Sequence, residues 1–185
     1  GVKIINYDVL FLHQSYPSYY LLTKKPNKPV ILYYHGASNK LQRINFKISM
    51  MLYKKRMAKI MAVSQAGINQ MRKMIGNISA EVIYNGVDTN FYNPNLSKPY
   101  VKGEPQLLFV SALRPYKQAS LLISFMPDLL KKYPKIHLQI VGTGEQKLFL
   151  ENLVKQLKLE NHVELTGRID DEQLKFRYSS CDVYV

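Results

Sequence analysis

Two basic side chains, two glycines and one histidine carry the clearest chemistry in this sequence. Arg114 and Lys117 lie in the stretch Ser111–Gln118 (SALRPYKQ), between an apolar run and a helical one. Cations at a helix start oppose the helix dipole, so an anion held there would account for them. A diphosphate suits the pair, because a guanidinium forks to two oxygens and an ammonium acts as a point charge. The competing reading is a solvated loop. Gly142-Thr143-Gly144 follows LQIV and precedes another helical run. Small residues there let backbone N–H groups and a helix N-terminus approach an anion, and they serve equally as a tight turn. His35 ends a strand-like run and precedes Gly36. It could bond a sugar hydroxyl, a phosphate or a backbone carbonyl, the last being a structural role.

Other chemistries are missing from the sequence. The glycine turn lacks the third glycine of a dinucleotide fingerprint, and there is no Walker sequence. Asp-x-Asp, HExxH, CxxC and GxSxG are all absent. A diphosphate would therefore be held by cations and helix ends with no metal. The single cysteine rules out an intramolecular disulfide and an all-cysteine zinc site, and suggests a reducing, cytoplasmic address.

The elements that must position these residues alternate. Strand candidates are Tyr7–His13, Val30–His35, Ile60–Ser64, Glu81–Tyr84, Gln106–Ser111, Ile136–Val141, His162–Thr166 and Cys181–Val185. Runs such as LLFVS and LQIVG are apolar on both faces, as in parallel sheets covered on both sides. Between them, Leu121, Leu122, Phe125, Met126, Leu129 and Leu130 recur at helical spacing, as do Leu150, Leu153, Val154 and Leu157. Alternating β and α units predict a doubly wound α/β architecture. Such sheets bind ligands at the carboxyl ends of their strands, which is where His13, His35, Asn85-Gly86, the 111–118 loop, Gly142–Gly144 and Gly167-Arg168 fall. Turn formers crowd residues 88–105. Two Rossmann-like lobes are expected, residues 1–95 and 104–185, joined by a linker at 96–103. Both ends look cut, and each lobe looks incomplete.

The charge is uneven. The chain has 26 Lys+Arg against 13 Asp+Glu, a net charge of +13. Residues 1–100 hold 14 basic and 3 acidic side chains, whereas residues 101–185 hold 12 and 10. The basic part should meet something anionic: nucleic acid, a membrane surface or phosphorylated substrates. The 14 tyrosines would suit a nucleic-acid binder, but no recognition motif appears and the second lobe is near neutral, so no nucleic-acid partner is expected. The segment 41–59 (LQRINFKISMMLYKKRMAK) carries two apolar stripes at helical spacing. Leu41, Ile44, Ile48, Met51 and Leu52 form one; Phe46, Met50, Tyr53 and Met57 form the other. We expect the second stripe to face outward among Lys47, Lys54 and their basic neighbours, which would place the protein peripherally on the cytoplasmic face of an anionic membrane.

The order of these pieces resembles the retaining glycosyltransferases of family 4, with the two-lobed GT-B fold. VILYYHG is similar to the family's strand ending in His-Gly, and IMAVSQAGINQM to its "AVS" strand and helix. VIYNGVDTNFYNP is close to its interdomain signature, and LLFVSALRPYK to the start of its second lobe. LQIVGTGEQ, HVELTG and the stretch ending CDVYV resemble later pieces in order. The family's arginine in "G-R-L" aligns with Ala112, two positions before Arg114, and the glycine after its lysine aligns with Gln118. The family's "E-G-F-G" segment would follow CDVYV, so the resemblance implies a piece of a longer protein.

The resemblance implies transfer of a hexose from a nucleoside-diphosphate sugar to an acceptor hydroxyl with retention, in cell-surface glycan or glycolipid synthesis. The acceptor would be a glycan or lipid-linked, and no cofactor is needed besides the donor substrate. It implies that Lys117, with Arg114, stabilises charge on the leaving diphosphate, and that His35 touches the transferred sugar. Gly142 and Gly144 would line the donor site, Arg168 would meet the base, and Asn85 and Gly86 would lie at a hinge. The alternatives are a non-catalytic basic nucleic-acid- or membrane-binding protein, or another GT-B enzyme such as a sugar-nucleotide epimerase.

Overall fold

The computed structural model describes residues 7–13 and 28–185, which form two compact units divided between Gly86 and Val87. The expectation of a helix or loop opening the chain lies outside the described residues.

The first unit is built on a parallel sheet of β1 (Leu10–His13), β2 (Val30–Tyr34), β3 (Met57–Ala62) and β4 (Glu81–Val82), in that spatial order. Helix α1 (Lys40–Tyr53) follows β2, and α2 (Gln65–Ile75) follows β3. Each starts on a side-chain cap. Asn39 accepts from the Gln42 N–H, and Ser64 accepts from the Gly67 N–H. The core joins Leu12, Leu32 and Tyr34 of the sheet to Phe46 and Met50 of α1 and to Ile68 and Met71 of α2.

Helix and strand share the 41–59 segment differently from expectation. The helix stops at Tyr53, a 3-10 turn covers Lys54–Arg56, and β3 already starts at Met57. The reason is pairing: Met57 and Lys59 register against Val30 and Ile31, so the chain must be extended there.

The second unit has its own parallel sheet, ordered β7-β6-β5-β8 in space. Its strands are β5 (Gln106–Val110), β6 (His137–Val141), β7 (Val163–Gly167) and β8 (Val183–Tyr184). Its helices are α3 (Ala119–Lys132), α4 (Lys147–Gln156) and α5 (Asp171–Ser180). Every residue of β6 is buried, which fits a central strand covered on both faces. The connections after β5 and after β7 lead to opposite sides of β5, which makes the β5/β8 pair a switch point.

The turn-rich stretch expected as a linker at 96–103 instead belongs to the second unit. Side-chain hydrogen bonds hold it there: Ser180 Oγ accepts from the Tyr100 N–H, Ser179 Oγ donates to the Ser97 carbonyl, and the Gln139 amide donates to the Tyr100 carbonyl. Arg177 lies 3.9 Å over the Tyr100 ring. Turn chemistry thus marks a segment that lies against a surface, fixed by the polar groups it meets.

Candidate functional site

In the second unit, several of the candidate residues meet at the carboxyl ends of β5, β6 and β7. A cavity of about 360 Å³ opens there, lined by Ser111 and Ala112 after β5, Gly142 and Thr143 after β6, and Arg168 and Leu174 after β7. That is the size range of small-ligand sites. The two loops after β5 and β6 lie backbone against backbone. The Leu113 N–H donates to the Thr143 carbonyl at 2.9 Å, and the Gln146 N–H to the Leu113 carbonyl at 3.1 Å. A Cβ at Gly142 would sit 1.9 Å from the Ser111 carbonyl oxygen, and one at Gly144 would sit 2.4 Å from that of Leu113. The Gly142 N–H itself is donated to the Gly167 carbonyl at 2.8 Å. The glycine therefore permits close approach of strands and loops, and its own N–H is not the anion donor expected of it.

Arg114 and Lys117 lie farther along the same loop, both exposed, on the 3-10 turn Pro115–Lys117 and its N-cap. Neither lines the cavity; the arginine that does is Arg168. Lys117 is separated from the first residue of α3 by Gln118, which adopts a left-handed conformation with φ of 57°. Glycine adopts that conformation without a Cβ penalty, whereas glutamine does not.

In the first unit, His35 follows β2 and is exposed. Its loop is fixed from below. Gln70 Oε1 accepts from the Tyr34 hydroxyl and, at 2.8 Å, from the Ala37 N–H, while Gln70 Nε2 donates to the Ala37 carbonyl at 3.0 Å. Burial pushes the Tyr34 hydroxyl up to about 12, despite the nearby Arg43 charge and the Ala37 N–H, so it stays a donor. Beside His35 stands a residue the sequence argument noted only as a strand tip. His13 Nδ1 is 2.9 Å from His35 Nε2, with the rings stacked. Tyr33 meets both rings edge-on. The Tyr33 hydroxyl also donates to the Ile83 carbonyl at 2.6 Å and stands 3.2 Å from the Asn85 side-chain amide. So Tyr33 holds Asn85 near the histidines, while Gly86 is exposed with open space around its Cα. Strand alternation was the available signal for Tyr33, because Tyr33 and His35 share a face.

The expected outward face of α1 is corrected. Phe46 and Met50 are 0% and 1% exposed, and the Phe46 ring packs at a tilt against Tyr34 with ring centroids 4.7 Å apart. Tyr53 is half-buried against the same core. The outward stripe is the other one: Leu41, Met51 and Leu52 are 67%, 75% and 64% exposed. Lys47 and Lys54 are exposed, as expected. The sheet accepts the bulkier stripe, since an aromatic ring against Tyr34 removes more apolar area from water than an isoleucine or leucine would. No helix among the described residues is long and apolar enough to cross a membrane, and none of their His, Cys, Asp and Glu side chains form a group of three or more that could hold a metal ion.

Comparison with known proteins agrees with this arrangement unit by unit. Residues 2–91 match the family model described as Glycosyltransferase Family 4, and residues 95–185 match that described as Glycosyl transferases group 1. A phosphatidyl-myo-inositol mannosyltransferase of Mycolicibacterium smegmatis is 26% identical over 97% of this chain and 47% of its own length. A GDP-mannose-dependent alpha-(1-6)-phosphatidylinositol monomannoside mannosyltransferase of the same organism is 30% identical over 54% of this chain and 28% of its own. Among solved structures, Anabaena HepE in complex with UDP superposes with a TM-score of 0.75 at 21% identity, over 96% of this chain and 52% of that one. The chain spans about half the length of the full-length relatives it matches. With both sheets parallel and flanked by helices, and each unit matching its own family model, the chain belongs to the family 4-like glycosyltransferases of GT-B fold.

Proposed function

We propose that this chain is part of a hexosyltransferase whose second unit holds a nucleoside-diphosphate sugar without a metal, and which transfers the hexose with retention to a lipid-linked or glycan acceptor. The observation that carries this is the cavity at the carboxyl ends of β5, β6 and β7, with Gly142 and Arg168 in its lining and Arg114 and Lys117 farther along the loop after β5. In the reaction, the bond from the sugar's anomeric carbon to the diphosphate breaks, and a bond to the acceptor oxygen forms on the same face. The acceptor proton passes to the departing phosphate oxygen. Negative charge grows on the diphosphate as it leaves, and Lys117, helped by Arg114, lies on the loop suited to meet it with little reorganisation. His35 contacts the transferred sugar. The named lipid substrates of the two mycobacterial mannosyltransferases support a lipid acceptor, and the UDP of the Anabaena structure supports a nucleoside-diphosphate donor.

The test is Lys117→Ala in the whole protein. Transfer should fall by about 10²-fold or more, with weaker binding of a nucleoside diphosphate, while a chelator leaves binding unchanged. Binding that disappears on adding a chelator, with Lys117→Ala binding normally, would overturn the reading.

A further inference from the structure

We propose that the exposed face of α1 docks on an anionic lipid surface, with the helix lying in the plane of the interface. Leu41, Ile44, Ile48, Met51 and Leu52 are each between 45% and 75% exposed. At 3.6 residues per turn they fall within about 100° of arc, a continuous apolar strip along the helix. Lys40 and Lys47 lie seven residues apart along one flank, both exposed, and Lys54 follows in the 3-10 turn, where its Nζ donates to the Asn77 carbonyl at 3.3 Å. Lys55 and Arg56 add charge at the helix end. An apolar strip edged by cations is what an interfacial helix presents to headgroups and upper acyl chains.

Charge decides what occupies the face. No Asp or Glu occurs anywhere in residues 9–80, a stretch that carries 12 Lys and Arg. The first unit therefore sets exposed Lys40 and Lys47 beside its strip and has almost no carboxylate to offset its basic side chains. A second copy of this unit is a poor occupant, because its carboxylates are limited to Asp8 and Glu81. Glu81 is itself paired with Lys59 at 2.7 Å. A surface that is both apolar and densely anionic is supplied by a bilayer containing acidic phospholipid. The burial of Phe46 and Met50 makes the strip usable: α1 is anchored to the sheet by one face and leaves the other for lipid.

The experiment is co-sedimentation of the whole protein with vesicles of phosphatidylcholine alone or mixed with phosphatidylglycerol. Because no turnover is measured, its result stands apart from the sugar-nucleotide reading. Binding is expected only to the anionic vesicles, and it should weaken as salt rises from roughly 50 to roughly 500 mM and the Debye length shrinks. Ile44→Ser/Ile48→Ser/Met51→Ser should lower partitioning about tenfold or more. Lys40→Gln/Lys47→Gln should lower it several-fold on anionic vesicles. Both variants should keep the wild-type melting temperature, since every altered side chain is exposed. No binding to anionic vesicles at low salt would overturn the proposal. So would wild-type partitioning of the triple serine variant, or a triple variant whose only defect is a changed oligomeric state by light scattering.

Discussion

His13 Nδ1 and His35 Nε2 stand 2.9 Å apart across neighbouring strands, although 22 residues separate them in the chain. One nitrogen must donate and the other accept, so the tautomer of each ring is tied to that of its neighbour. His35, which we propose contacts the transferred sugar, thus has its ring held by His13, and Tyr33 packs against both.

Removing that neighbour should impair turnover without impairing donor binding. His13→Ala should lower kcat by about ten- to a hundredfold, with KM for the sugar nucleotide little changed. His13→Asn, whose amide nitrogen can stand near the Nδ1 position, should recover much of the loss. His35→Ala should remove most activity and leave the melting temperature close to wild type, because the ring is exposed. Full activity in His13→Ala alongside an inactive His35→Ala would show that the pair has no positioning role.

Close backbone approach should make two glycines intolerant of a single methyl group. At Gly142, a Cβ would meet the Ser111 carbonyl at 1.9 Å, with φ at 140°. Gly142→Ala should destabilise the second unit by about 3 kcal/mol through overpacking and backbone strain. Gly144→Ala should do nearly as much. At Gly86 nothing lies within 4 Å, so Gly86→Ala should leave the denaturation midpoint unchanged. Urea titrations of the three variants separate these outcomes.

A residue in the left-handed region offers the opposite change. Gln118 has φ of 57° and makes no side-chain cap to α3. Gln118→Gly relieves the conformational strain but adds unfolded-state entropy, for a net gain of up to about 1 kcal/mol. A rise in melting temperature with unchanged donor affinity is expected; a fall would mean that the glutamine side chain contributes more than its backbone strain costs.

Acid should loosen the second unit in two steps. Burial lowers the pKa of His137 below its ordinary 6.5, against the raising effect of Glu164. Burial alone would raise Glu164, but the hydrogen bond from Lys102 and the Arg177 charge outweigh it and hold the carboxyl below its ordinary 4.5. In both cases the unfolded chain binds protons more readily than the folded one, so stability falls as pH falls. The first loss should begin as pH drops below 6.5 and the second below 4.5. Thermal melts from pH 7 down to roughly pH 2 should show the earlier step vanish in His137→Asn and the later one persist.

The alternation of apolar runs and helical spacing was enough to establish a parallel α/β fold, because strands buried on both faces have no polar alternation to offer. The strand tips followed from it, and so did the clustering of Ser111–Ala112, Gly142 and Arg168, since parallel strands bring all their carboxyl ends to one edge. Pairing was not legible. That His13 meets His35 depends on β1 registering with β2 so that His13 stands opposite Tyr33. Nor did composition reveal that residues 97–102 lie against α5 and β6, because the serines and glutamine that hold them are far away in sequence. Helix α1 shows the division most sharply. Its sequence displays two apolar stripes of similar length, and helical periodicity treats them alike. Only the sheet distinguishes them: the space beside Tyr34 takes the ring of Phe46, and once that face is buried the 3.6-residue turn sends Leu41, Ile44, Ile48 and Met51 outward.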